Sequence, residues 1–199
     1  ARAALGQERQ IYVCNWKPLE SELDAYAYFE KLDLSEHEPL TDLADAWRYR
    51  GDFFRQELTR PIGRLSTLVY RFERFPDLRF ETRLRSAFED RLFRLDMARC
   101  KPALVFSTRV ECFSGQGVNL FSGQSWGSLE RLRGASDQIL GARIVLGRFA
   151  LSGADRALVR GMLRGERRDL LGTWLHLARA RRRLLLAELA RHLRRDPAL

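Results

Sequence analysis

The chain has 199 residues, 45% of them apolar and 11% aromatic, enough to enclose a core and bury roughly 70% of its unfolded surface. Its net charge of +9 arises from 35 basic and 26 acidic side chains, and Lys17, Lys31 and Lys101 are the lysines, so arginine supplies nearly all the positive charge. Cys14, Cys100 and Cys112 are odd in number and lack C-x-x-C spacing, which argues against a disulfide framework or zinc site and for a reducing compartment.

The arginine bias has a coding explanation, a GC-rich gene, and a chemical one, the planar fork that suits carboxylate, phosphate and interface contacts. The charge is uneven: residues 1–60 carry 8 basic and 12 acidic groups, and residues 61–199 carry 27 and 14. A basic region of this kind faces RNA, anionic lipid headgroups or an acidic protein, unless its charges pair internally. The longest uncharged run, Cys112 to Leu129, is rich in Gly, Ser, Gln and Asn, so no transmembrane segment is expected. The arginine bias, the reducing cysteines and a first residue, Ala1, compatible with a processed targeting peptide lean towards a mitochondrial location.

In chain order, residues 1–17 read as an arm whose apolar patch Ile11 to Trp16 docks as an extended segment. Pro18 opens a helix through Lys31, on the spacing of Leu19, Leu23, Tyr26 or Ala27, and Leu32. Thr41 caps a second helix with Asp42 in its first turn; Leu43, Ala46 or Trp47, Phe54 and Leu58 form its stripe, and Pro61 ends it near Thr59. Ile62, Leu65, Val69 and Phe72 predict a third helix, and Asp77 to Arg99 a fourth. Pro-marked corners between them suggest an up-and-down helical array.

Ala103 to Phe113, with β-branched and aromatic residues, predicts one strand. Its partner is the Ile11 to Cys14 patch, the Val118 to Phe121 patch or another chain. Phe113-Ser-Gly-Gln recurs as Phe121-Ser-Gly-Gln, which marks two similar turns in a Gly/Ser-rich loop. Ser128 caps a helix through Leu132, Gly134 breaks its register, and Ser136 to Ala150 resumes as helix or strand.

Asp155 to Arg195 predicts a helical hairpin, entered by a capping-box-like Ser152 to Asp155 and ending in a long Leu/Arg helix from Asp169. At ~100° per residue, Leu170, Trp174, Leu177, Ala178 and Leu185 share one face. Leu171, Leu175, Leu186, Leu189 and Leu193 share a second beside it, so the helix needs more than one neighbour. Arg179, Arg181, Arg182, Arg183, Arg191, Arg194 and Arg195 are its candidate partner- or phosphate-contacting residues.

Catalytic patterns are weaker. Gly123-Gln-Ser-Trp-Gly127 is a G-x-S-x-G sequence, the spacing that in α/β-hydrolases exposes a serine nucleophile on a strand-to-helix elbow. Ser125 with His176 and Asp155 or Asp169 would follow the required order, but the helices expected upstream do not supply the parallel strands such an elbow needs. Ser114 to Ser128 lacks the lysine or acidic residue of a nucleotide-binding loop. His37 lies between Glu36 and Glu38, where side chains diverge, and His176 and His192 are sixteen residues apart, so no metal and no cofactor is assigned. The stripe Trp47, Phe53, Phe54, Phe72, Phe75, Phe80 and Phe88 reads as core before it reads as a base-stacking platform. Glu188 is at helical spacing to Arg191 and His192.

The sequence therefore predicts a mainly α, single-domain fold over 1–199. It has a short β and Gly/Ser-rich segment near 103–127, and two halves, 1–100 and 101–199, as the alternative division. The expected function is a non-catalytic structural subunit of a large mitochondrial assembly, such as a respiratory-chain or ATP-synthase complex or the mitoribosome. Its expected partners are other protein subunits. The alternatives are an RNA-binding protein that uses the basic C-terminal region and a serine hydrolase built on Ser125.

Overall fold

The computed structural model describes residues 9–19, 22–26, 32–115, 125, 127–180, 190, 192–194 and 196. The chain divides into two compact units, Ala1–Arg79 with Phe93–Gly117, and Phe80–Leu92 with Val118–Leu199. The fold is mixed α/β, about 50% helix and 17% strand, and this overturns the mainly α up-and-down array.

The first unit is built on a five-stranded sheet in the order β2-β3-β5-β1-β4. Its strands are β1 (Ile11–Pro18), β2 (Glu38–Pro39), β3 (Ala46–Arg48), β4 (Leu68–Tyr70) and β5 (Leu104–Ser114). β1 and β5 run parallel, and the other pairs are antiparallel. The Ile11 to Cys14 patch is thus the partner of the predicted strand. Side chains alternate between sheet faces: Ile11, Val13, Leu104 and Phe106 enter one core cluster, and Tyr12, Cys14 and Val105 enter another with Ala46. Both faces of the central pair are therefore covered, which explains the unbroken apolar runs in these two strands.

The β1/β5 register slips around Asn15. There the buried Asn15 amide donates to the Thr108 carbonyl (3.0 Å) and its oxygen accepts the Trp16 N–H (2.9 Å). One side chain so satisfies main-chain groups that the interrupted ladder would strand.

Helix α1 (Phe53–Thr59) starts on Asp52, whose carboxylate accepts the Arg55 N–H at 3.0 Å. Of the helix predicted from Thr41 to Thr59, residues 41–48 are instead a turn and β3, with Asp45 at φ 57° ahead of the strand, while its end is helical as α1 and stops at Thr59. A helix cannot pass through that conformation, and Asp is among the few residues that adopt it readily. The predicted third helix is two 3-10 turns flanking β4, and the fourth is helical only as α2 (Glu89–Arg99). Short apolar runs fit the strand and helix periods alike, which is why spacing alone misassigns them. Of the helix predicted after Pro18, Leu19 and residues 22–24 are not helical, Ala25 and Tyr26 are, and the rest lies outside the described residues.

In the second unit, α3 (Leu129–Arg148) and α4 (Gly153–Ala180) form a helical hairpin. Ser128 caps α3 by accepting the Arg131 N–H at 3.0 Å, and the helix runs through Gly134 without a break. It buries Leu132, Ala135, Ile139, Ala142 and Val145 along one stripe, while α4 buries Val159, Leu163 and Leu170. Ser152 opens α4, accepting the Asp155 N–H (3.1 Å) and donating to its carboxylate (2.7 Å). The predicted hairpin within 155–195 is therefore one continuous helix to Ala180, and its turn lies at Phe149 to Ser152. Arg131 ties the pair together through Asp169.

Candidate functional site

Asp137 organises a cleft of the second unit. It sits on α3, buried at 2% exposure, and one carboxylate oxygen accepts the main-chain N–H groups of Arg85 (2.8 Å) and Ser86 (2.6 Å). The segment before α2 is thereby pinned beside α3. Phe88 completes this attachment at φ 73°, buried at 6% exposure. Its ring lies where a Cβ on Gly141 would sit, so only glycine admits it there.

A cleft of about 1110 Å³ opens beside this attachment. The 82–86 segment contributes Thr82, Arg83, Arg85 and Ser86; α3 contributes Arg133, Ser136, Asp137, Leu140, Arg143 and Ile144; His192 and Arg194 complete it. The α3 residues recur at helical spacing and so share one face of the helix.

Carboxylates behind the rim orient several guanidinium groups. Glu81 takes two hydrogen bonds from Arg83 (2.8 Å each) and one from Arg148 (2.8 Å). These bonds, Arg83 first, hold the Glu81 carboxyl at about 2, below its usual 4.5. Asp196, buried at 2% exposure, pairs with Arg167 (2.6 and 2.8 Å) and Arg143 (3.2 Å). It raises the Arg167 pKa, and the Asp196 N–H donates to the His192 carbonyl at 2.8 Å, which fixes the turn carrying His192 and Arg194. The Arg85 and Arg194 side chains have no acidic partner among the described residues. Among the described residues, five guanidinium groups therefore line a cleft to which Asp137 brings the one carboxylate.

Of the candidates read from sequence, Arg194 lines this cleft, and Arg179 is exposed near the end of α4. Arg181, Arg182, Arg183, Arg191, Arg195 and Glu188 lie outside the described residues. Arg83, Arg85 and Arg133 are not singled out by sequence, and Arg143 enters only as the first residue of the basic C-terminal region, Arg143 to Arg195. The spacing of Arg133, Ser136, Leu140 and Arg143 along one helix face was their available signal, but the approach of Arg83 and Arg85 is a tertiary event.

The G-x-S-x-G segment takes another form. Ser125 is exposed in a turn whose carbonyl accepts the Ser128 N–H at 3.1 Å. Gly127 has φ +81°, and a Cβ there would lie 2.7 Å from Cδ2 of His176. The glycine thus admits the imidazole, while Asp169 is engaged by Arg131 and Asp155 by the Ser152 cap. Residues 116–124, with the predicted Val118 to Phe121 strand and most of the Gly/Ser-rich loop, lie outside the described residues.

His37 packs its ring on Tyr49 (4.8 Å) and Phe106 (5.1 Å), and burial lowers its pKa. No group of three or more metal-ligating side chains occurs among the described residues. Nor, among them, is any helix long and apolar enough to cross a membrane.

No protein-family model, no curated protein and no solved structure matches the chain.

Proposed function

We propose that the chain is a non-catalytic binding protein whose second unit engages the phosphate backbone of RNA. The arginine-lined cleft carries this reading. Guanidinium forks match phosphate oxygens in pairs, and two of them, Arg85 and Arg194, lack a competing carboxylate among the described residues. Protein-binding surfaces concentrate aromatic and apolar side chains at their centre, whereas among the described residues Leu140 and Ile144 are the only large aliphatic residues lining this cleft. Charge placement agrees. By sequence the first unit holds 16 basic and 16 acidic side chains, and the second holds 19 and 10, so the whole excess of +9 falls on the unit with the cleft.

The test is a titration of fluorescently labelled RNA with the full chain, read by anisotropy at low and at moderate salt. Saturable binding that weakens steeply with salt is expected, because each neutralised phosphate releases counterions. Absence of binding at low salt, or binding only to anionic lipid vesicles, would overturn the proposal.

A second reading, a structural subunit of a large mitochondrial assembly that also holds protein neighbours, draws on the exposed leucines of the same unit. Leu171, Leu175 and Leu193 are 40%, 54% and 42% exposed, and they belong to the second apolar face of the C-terminal segment. Sedimentation of the native particle, with and without nuclease, tests it: a large nuclease-resistant particle is expected, and a free monomer would contradict it.

A further inference from the structure

We infer that the cleft takes the sugar–phosphate backbone of double-helical RNA without reading its sequence. This rests on the RNA-binding reading above and names the form of RNA that fits. The first reason is extent. Arg133 to Ile144 spans eleven residue steps along α3, about 16 Å at 1.5 Å per residue. A duplex presents roughly one phosphate per 1.7 Å of axis, so the arginines along that length face several phosphates. A single phosphate or a mononucleotide would leave most of them unmatched.

The second reason is what the cleft lacks. Proteins that hold single strands combine a basic groove with aromatic side chains on which bases stack. Among the described residues no Phe, Tyr or Trp lines this cleft, and Phe80, 46% exposed in the same unit, is not part of its lining. Among the described residues the one ring in the lining is the His192 imidazole, 2% exposed, so unstacked bases would find guanidinium groups but no Phe, Tyr or Trp face.

The third reason is the polar group set. Thr82, Ser86 and Ser136 place hydroxyls among the arginines. Double-stranded RNA is recognised largely by shape, through phosphates and the 2′-hydroxyls exposed on its shallow minor groove. Arg83 and Arg143, oriented from behind by Glu81 and Asp196, hold fixed positions towards such a backbone. Arg85 and Arg194, whose side chains have no acidic partner among the described residues, supply further positive charge.

The test compares four labelled probes against the full chain: a mixed-sequence RNA duplex, its isolated strand, a scrambled-sequence RNA duplex and the matching DNA duplex. The two RNA duplexes should bind alike, and both about tenfold or more tighter than the strand and the DNA. The double variant Arg85→Ala/Arg194→Ala should lose that preference, while Arg99→Ala, an exposed change in the first unit, should retain it. Circular dichroism and thermal melting verify that each variant is folded. An isolated strand bound as tightly as the duplex would overturn this inference and leave RNA binding standing. Equal affinity for the DNA duplex would overturn the assignment to RNA, and failure of every probe to bind would overturn the underlying function.

Discussion

In the sheet-containing unit 16 basic side chains meet 16 acidic ones, whereas in the helical unit 19 meet 10. The arginines behave accordingly. In the first unit Arg94 is buried against Glu57 (2.8 Å), Arg9 pairs with Asp42, Arg50 with Glu38, and the Arg64 guanidinium lies 3.7 Å from the centre of the Trp16 ring. In the second, carboxylates hold some arginines at the back of a cleft and leave Arg85 and Arg194 to face it. The same residue type serves cohesion in one unit and presentation in the other, so composition alone could not separate the two uses.

The sharpest way to break this contrast is at the buried pair. Glu57 also accepts the Ile62 N–H at 3.2 Å, so Arg94→Met leaves a carboxylate enclosed without its cation. Loss of about 3–5 kcal/mol is expected, seen as an earlier unfolding transition in denaturant, with RNA affinity preserved below that transition. In the second unit, Gly141→Ala forces a Cβ onto the Phe88 ring; about 1–3 kcal/mol of destabilisation is expected from overpacking, measurable by thermal melting. Gly161→Ala, which meets open space on α4, should be neutral or slightly stabilising by helix propensity.

Arg85→Ala/Arg194→Ala should reverse the pattern of Arg94→Met. These exposed side chains should change stability by no more than roughly 0.5 kcal/mol while weakening RNA binding about tenfold or more. The effect at Glu81 depends on pH. Its folded pKa lies below the unfolded value, so the stability it confers is complete above pH 4.5 and is lost as pH falls towards about 2. Melting across that window should show a contribution of roughly 1 kcal/mol that Glu81→Gln removes.

The sequence made β5 legible, because Val105, Phe106, Thr108 and Val110 carry strand chemistry, and it offered the Ile11 to Cys14 patch as a partner. Ser128 and Ser152 marked the starts of α3 and α4. It misled at residues 41–48 and 62–74, where strands of two or three residues carry too few side chains to display a period and where Asp45 imposes a turn. Gly134 reads as a break, yet it sits inside a continuous helix, since burial along a long hairpin outweighs the roughly 1 kcal/mol that a helical glycine costs. For the site, charge placement pointed to the C-terminal region and to Arg194. The cleft itself depends on Asp137 receiving two N–H groups from residues about fifty positions earlier, a contact that no local pattern announces.

The most direct measurement is the dependence of RNA affinity on salt for the full chain and for Arg85→Ala/Arg194→Ala. If the cleft neutralises phosphates, the wild-type plot of log affinity against log salt concentration slopes steeply downwards. The double variant should then lose about 1–2 units of that slope together with affinity. A slope and an affinity that the two substitutions leave unchanged would contradict the assignment of RNA binding to this cleft.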